Sequence, residues 1–452
     1  MSAVDGGETY DLVGIGIGPS NLSLAALLAP FPGVRTRFFD RARELKWHPG
    51  LLFPEAEIQV SHLKDLVTPA DPTSRFSFLA FLHSRKRLYR FMHAEFPRIR
   101  RLEFDQYLHW VASQLPELCF GRPVDAVTWD GGLAVHAGGE RIRARHLALG
   151  SGLSPRVPAF ARPYLGETVF HSSDFLLKRF QPAGRRVMVV GGGQSGAELV
   201  SKLLADASAL PRELYWVSRR PSFLPLDESP FANEWFTPTY SQHFFRLPGP
   251  VRERLVAEQA LASDGISTGL LKTLCQRLYE LDFLQAAPCA RHLWPARDLT
   301  ALAPHGDGWR VAVRDLIAER SAEVGVDCLI LATGYTWAIP AYLEPILDRV
   351  ELENGCFRFQ EDYSIVWEGS PGHQIYAMNA ARIARGVADP NLSLLAWRSS
   401  KIANSLLGRQ VYEVDEAAAL VGWGGPQADG SPVDTPLAAF EAAAAGQPWG
   451  EL

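Results

Sequence analysis

The chain has 452 residues, 47% of them hydrophobic and 21% charged, with 45 Lys+Arg against 50 Asp+Glu for a formal charge of −5. That length allows about three domains around a sizeable core. The slightly acidic balance argues against a nucleic-acid binder, and 24 Phe, 12 Trp and 12 Tyr argue against overall disorder.

The first residues, Met1 to Glu8, carry no basic start and no apolar core, so no secretory signal is expected. The longest apolar stretch, Leu22 to Pro32, is too short to cross a bilayer and contains Pro30, so no stable membrane insertion is expected. Cys119, Cys275, Cys289, Cys328 and Cys356 are odd in number and scattered. They make neither a disulfide framework nor a metal knuckle, which fits a reducing cytoplasm and no metal.

In chain order, an apolar strand from Tyr10 runs into Gly16, Gly18, Pro19 and Asn21, followed by a small-residue helix. A second strand, Arg35 to Asp40, ends in a carboxylate. The layout recurs at Arg185 to Val190, which runs into Gly191, Gly193, Gln194, Ser195 and Gly196. A helix to Ala205 follows, then a strand, Glu213 to Ser218, ending in Arg219 and Arg220. A third apolar strand, from Val326, meets Thr333 and Gly334, and His146 to Gly152 is a weaker version. Residues 223–290 are rich in aromatics, acidic residues and helix formers, and read as an inserted helical segment. From Gly424 the composition is that of a flexible tail.

A Gly-x-Gly turn between strand and helix lets backbone approach a pyrophosphate, and the helix N-terminus supplies N–H groups and partial positive charge. One copy is weak; two, each followed by a second strand, are much stronger. Asp40 suits ribose hydroxyls and repels a 2′-phosphate, so the first site suits FAD or NAD. Arg219 and Arg220 suit a 2′-phosphate, so the second favours NADPH, although both are also readable as solvated loop charges. Asn21 stands where a third glycine is usual. The expected fold is α/β, with two Rossmann-like dinucleotide-binding domains, for FAD and NADPH, and a smaller, mainly helical substrate-binding segment. The expected division is 8–180, first part of the FAD domain; 181–325, NADPH domain with the helical segment at about 223–290; 326–423, second part of the FAD domain; and 424–452, tail.

Beyond these turns stand Trp47-His-Pro-Gly, Leu63-Lys-Asp-Leu-Val-Thr, Asp71-Pro-Thr-Ser, Phe231-Ala-Asn-Glu-Trp-Phe, Leu331-Ala-Thr-Gly-Tyr and Asn391-Leu-Ser-Leu-Leu-Ala-Trp-Arg. With Gly16-Ile-Gly-Pro-Ser-Asn-Leu and Gly191-Gly-Gly-Gln-Ser-Gly, they resemble the flavin-dependent N-hydroxylating monooxygenases of siderophore synthesis over about residues 8–423. That group holds the L-lysine N6- and L-ornithine N5-monooxygenases.

The resemblance implies that NADPH reduces FAD, that O2 adds at flavin C4a, and that a primary amine takes the distal oxygen of the hydroperoxide. It implies an amine-contacting role for Asn233, a flavin-side amide at Gln59, FAD contacts at Trp47 and His48, and a closing turn at Asn391 and Ser393, with Ser393 also on the cofactor side. Asn233 is equally readable as a helix cap. Lys64 matches the lysine that pairs with an α-carboxylate, which favours an amino acid over putrescine or cadaverine; its bland reading is an ion pair with Asp65. Ornithine-type members carry an Asn-Tyr pair where this chain has Ala262-Ser-Asp-Gly-Ile-Ser267, so L-lysine is favoured, with L-ornithine and diamines as alternatives. A non-hydroxylating NADPH oxidase or nucleotide-binding regulator is the remote one. His62 replaces a usual aromatic, and Arg385 replaces a usual histidine and is a second candidate for the carboxylate. Relatives of this kind are often tetramers, so a homo-oligomer is expected.

Overall fold

A computed structural model describes residues 9–285, 288–369, 372–414 and 420–424. The N-terminal eight residues, read above for a signal, and the tail beyond Gly424 lie outside the described residues.

The strand Thr9–Ile15 buries its last four residues and pairs in parallel with Thr36–Phe39 on one side and Glu140–Leu149 on the other. Leu118–Cys119 extends the first edge. Leu133–Ala137 and Val124–Trp129 extend the other antiparallel, and Ile375–Ala377 returns to pair with Glu140–Leu149, making seven strands. The helix Pro19–Leu28 is buried from Ser20 to Leu28 because Leu395–Leu407 covers the side that the sheet leaves open.

A second, all-parallel sheet has the order Ala290–Trp294, Glu213–Val217, Arg186–Val190, Cys328–Leu331, Val169–His171. Cys328–Leu331 is buried throughout, as a parallel strand covered on both faces must be. Its outer neighbour, Val169–His171, comes from before residue 180, so this sheet draws on chain from both sides of the expected 181–325 unit. The helix Gln194–Ala205 buries Leu199, Val200, Leu203 and Leu204 at helical spacing. Arg297–His305, Gly308–Asp315 and Ser321–Val326 form a three-stranded antiparallel sheet on its flank.

As expected, the insertion is helical: Pro230–Asn233, Pro238–Phe245, Gly249–Glu258, Ala260–Asp264 and Thr268–Tyr279. Among the described residues, no helix is long and apolar enough to cross a membrane.

Candidate active site

Gly16 adopts φ +90°, and a β-carbon there would lie 2.5 Å from the Gly150 carbonyl oxygen, so the turn needs glycine. Gly18 faces open space, and the helix that starts at Pro19 has no side-chain cap. Its first-turn N–H groups are thus left for an anionic ligand, which fits a dinucleotide pyrophosphate. Asn21 is fully buried. Its amide donates to the carbonyls of Ile15 at 3.2 Å, Gly16 at 2.7 Å and Ala148 at 3.2 Å. It stitches the turn from beneath and directs no donor toward a ligand. Asp40 accepts from the N–H groups of Ile17 and Ala42, each at 2.7 Å. A carboxylate has about four lone-pair positions, so two remain for a ribose.

The second turn repeats this layout. Gly191 and Gly193 follow the strand, and Gln194, Ser195 and Gly196 open a helix that again lacks a side-chain cap. Arg219 and Arg220 prove unequal: Arg219 is exposed, whereas Arg220 donates to the carbonyls of Gly192 at 3.2 Å and Asp264 at 2.9 Å. Thr333 donates its hydroxyl to the Arg156 carbonyl, and the Gly334 carbonyl lies 3.0 Å from His171 Nε2.

A recess of about 200 Å³ brings together Trp47, His48, Gln59, Arg101, Ser195 and Asn391 from separate parts of the chain. The expected FAD-side residues Trp47, His48 and Gln59 therefore meet the second turn and the closing turn. His48 is exposed to the recess, and the protein around it together with the Arg101 charge lowers its pKa.

Gln59 is not isolated. Its Nε2 lies 3.3 Å from both Gln194 Oε1 and Ser267 Oγ. Gln194 Oε1 accepts from the Ser267 N–H at 2.9 Å, and its Nε2 donates to Glu198 at 3.0 Å. Glu198, 6% exposed, is held by Arg101 at 2.8 Å. Arg101, Glu198 and Ser267 were not singled out from sequence. Arg100-Arg101 reads as a surface pair, and no local pattern marks a partner 97 residues away.

Asn233, expected to contact the amine, ends a four-residue helix capped by Ser229 and stands at the N-cap position of the turn Glu234–Phe236, where its side chain makes no capping hydrogen bond. It is exposed, and its Nδ2 donates to the Glu228 carbonyl at 3.2 Å, which turns Oδ1 outward as an acceptor. Asn391 Oδ1 accepts from the Ser393 N–H at 2.8 Å and hydroxyl at 2.9 Å, fixing the turn expected to close the site. Lys64 is half-buried. Lys64, Asn233 and Ser393 lie outside the lining of the recess.

Of the carboxylates near these residues, Glu57 is engaged by Arg100 at 2.9 Å, Glu198 by Arg101 and Glu228 by Arg98, whereas Asp65 is held by backbone N–H groups and Glu234 buries Oε2 without a hydrogen-bond partner. His62 packs its ring against Phe78 and Phe91, at 6.1 and 5.5 Å, so it fills the place of an aromatic. Arg385 is 1% exposed, lies 3.8 Å over Phe245, and donates to the carbonyls of Gln360 and Glu361. It is a structural arginine walled in by aromatic rings, which corrects the expectation that it faces a substrate carboxylate.

A family model described as L-lysine 6-monooxygenase/L-ornithine 5-monooxygenase matches residues 8–337. The chain is 35% identical over 421 residues to the L-lysine N6-monooxygenase of Escherichia coli, covering 92% of this chain and 99% of that protein. Its fold is similar to that of the FAD-bound cadaverine monooxygenase of Erwinia amylovora, with a TM-score of 0.86, 30% identity, and 95% and 99% of the two chains covered. It is also similar to the ornithine N-hydroxylase of Kutzneria sp. 744 with reduced FAD, NADP+ and L-ornithine, with a TM-score of 0.82, 31% identity, and 89% and 99% covered.

Proposed function

This chain belongs to the L-lysine 6-monooxygenase/L-ornithine 5-monooxygenase family, the FAD- and NADPH-dependent N-hydroxylating monooxygenases of siderophore biosynthesis, and from that premise we propose that it hydroxylates N6 of L-lysine. The first sheet carries FAD at Gly16, Gly18 and Asp40, and the second carries NADPH at Gly191, Gly193, Ser195 and Arg219. In the same reading the enzyme works in the cytoplasm as a homo-oligomer.

What favours lysine over ornithine is the segment Ala262–Ser267, which carries no asparagine. Leu226 donates its N–H to the Ile266 carbonyl at 2.8 Å. A β-carbon on Gly265 would lie 2.3 Å from Leu226 Cα. The segment is closely packed at Gly265, and none of its residues supplies the amide of an ornithine-type asparagine. The amino-acid end of the substrate is held instead by Lys64.

Bound flavin, reduced by NADPH, supplies the activated oxygen for the amine nitrogen. The protein's part is to deliver that nitrogen uncharged. An alkyl amine has a pKa of about 10.4 and is mostly ammonium at neutral pH. Asn233 Oδ1 accepts an N–H of the amine without adding a negative charge. Glu57, Glu198 and Glu228, each spent on an arginine, do not hold the cation.

The likeness to the cadaverine monooxygenase favours a second reading, a diamine hydroxylase. A panel of L-lysine, L-ornithine, cadaverine and putrescine, scored separately for hydroxylamine and H2O2, separates the readings. L-lysine should give the highest kcat/KM for hydroxylamine, with little H2O2. Faster hydroxylation of cadaverine would reject the lysine assignment.

The coenzyme assignment has its own check. Arg219→Ala should raise KM for NADPH about tenfold and leave NADH unchanged, because an exposed charge on phosphate is partly screened. Arg220→Ala should weaken both coenzymes, since it unties Gly192 from Asp264. An equal loss of NADPH and NADH in Arg219→Ala would remove Arg219 from the 2′-phosphate site.

A further inference from the structure

We infer that Gln194, Glu198 and Ser267 are positioning residues that fix which end of the Gln59 amide faces the flavin, and that they thereby set the flavin's reduction potential. The inference rests on the reading of Gln59 as the amide beside the flavin ring.

The two ends of an amide are hard to tell apart by shape, so the partners must decide. At Gln194 they decide twice. The Ser267 backbone N–H, 2.9 Å away, can only donate, so the atom facing it is Oε1. Glu198 is bound to Arg101 through both oxygens, at 2.8 and 3.2 Å, so both oxygens serve as acceptors. The Gln194 atom facing it, at 3.0 Å, is therefore Nε2. With Gln194 locked, Gln59 meets an acceptor 3.3 Å away and must present Nε2 to it. Its carbonyl oxygen is left as the outward end. The amide of Gln194 is consumed in this relay, although its place in the glycine turn suggested a coenzyme contact.

An outward carbonyl discriminates between flavin oxidation states. Oxidised flavin has a bare acceptor nitrogen at N5, whereas the reduced ring carries an N–H there. A carbonyl oxygen accepts from the second and repels the first. The relay therefore favours reduced flavin, and without it Gln59 is free to turn and offer its NH2 to the oxidised ring.

The test is the midpoint potential of the FAD-loaded enzyme, measured by spectroelectrochemistry. Gln194→Met removes the acceptor that locks Gln59. It should tilt the ratio of affinities for reduced over oxidised flavin about tenfold toward the oxidised form, a fall of about 30 mV for a two-electron couple. Gln59→Leu should lower the potential as well, and Gln194→Met should add nothing in the Gln59→Leu background. Ser267→Pro provides a second route should Gln194→Met not retain FAD. Ser267 sits at φ −53°, which suits proline, and its N–H donates to Gln194. A potential shifted by Gln59→Leu but by neither relay variant overturns the relay and leaves the reading of Gln59 standing. No shift in Gln59→Leu overturns that reading, and the relay with it. Equal shifts from Gln194→Met with and without Gln59 show that Gln194 acts by another path.

Discussion

Lys64→Ala should raise KM for L-lysine by one to two orders of magnitude, leave kcat within a few-fold, and leave KM for cadaverine unchanged. Losing a hydrogen bond to a charged group costs about 1.5–3 kcal/mol, which is the source of that range. In the proposed reading the contact lies at the far end of the substrate from the reacting nitrogen. It is made equally in the ground and transition states, so the loss belongs in KM. Asp65, the partner in the bland reading of Lys64, is otherwise occupied. It is 1% exposed and accepts from the N–H groups of Val67 at 2.9 Å, Thr68 at 2.7 Å and Phe78 at 2.6 Å, and from the Thr68 hydroxyl at 2.8 Å. Burial raises its pKa even against these donors. Asp65 thus organises the loop that carries Lys64. Lys64→Arg should recover part of the loss, since guanidinium also binds carboxylate but places its charge farther along a planar fork. KM that rises equally for cadaverine would show that Lys64 supports the site and reads no carboxylate.

The parts of this enzyme that were legible in the sequence are those set locally. A glycine turn between an apolar strand and a helix is readable because its demands are backbone demands, and Gly16 and Gly191 stand where expected. The helical insertion was readable from composition. The three-stranded antiparallel sheet was missed, although alternation in Trp309-Arg-Val-Ala-Val beside the turn at Gly306 was there to find. The pairing of Val169–His171 with Cys328–Leu331 was not readable, because nothing in a three-residue strand names a partner so distant in the chain. The site shows the same divide. Asn21 looked like a defect in a motif because its bonds to Ala148 lie outside the motif. Arg385 looked like a ligand because the sequence does not show the rings that enclose it.

Arg398→Met should destabilise the folded enzyme by about 3–5 kcal/mol, the usual result of stranding one member of a buried ion pair. Arg398 and Asp389 are 1% and 0% exposed at the side chain, with Nη1 3.0 Å from Oδ1. Arg398 also donates to the Asp389 carbonyl, and its Nη2 donates to Asn379 at 3.1 Å. Asp389 in turn accepts from the Ala381 N–H at 2.9 Å. The pair ties the turn at Asn391 and Ser393, the closing turn of the proposed site, to the helix Leu395–Leu407, which packs on the helix behind the first glycine turn. Removing the arginine leaves a carboxylate in a place that water does not reach, and that uncompensated charge is the main cost. The double variant Arg398→Met with Asp389→Leu removes the stranded charge and should regain much of the stability, because apolar replacement of a whole buried pair is often neutral. It should not regain substrate affinity, since the closing turn has still lost its anchor. Denaturation midpoints should therefore recover in the double variant while KM for the amine stays raised. Recovery of both would mean that the pair serves stability alone, and recovery of neither would mean that Ala381 and Asn379 need these polar partners as much as the ions need each other.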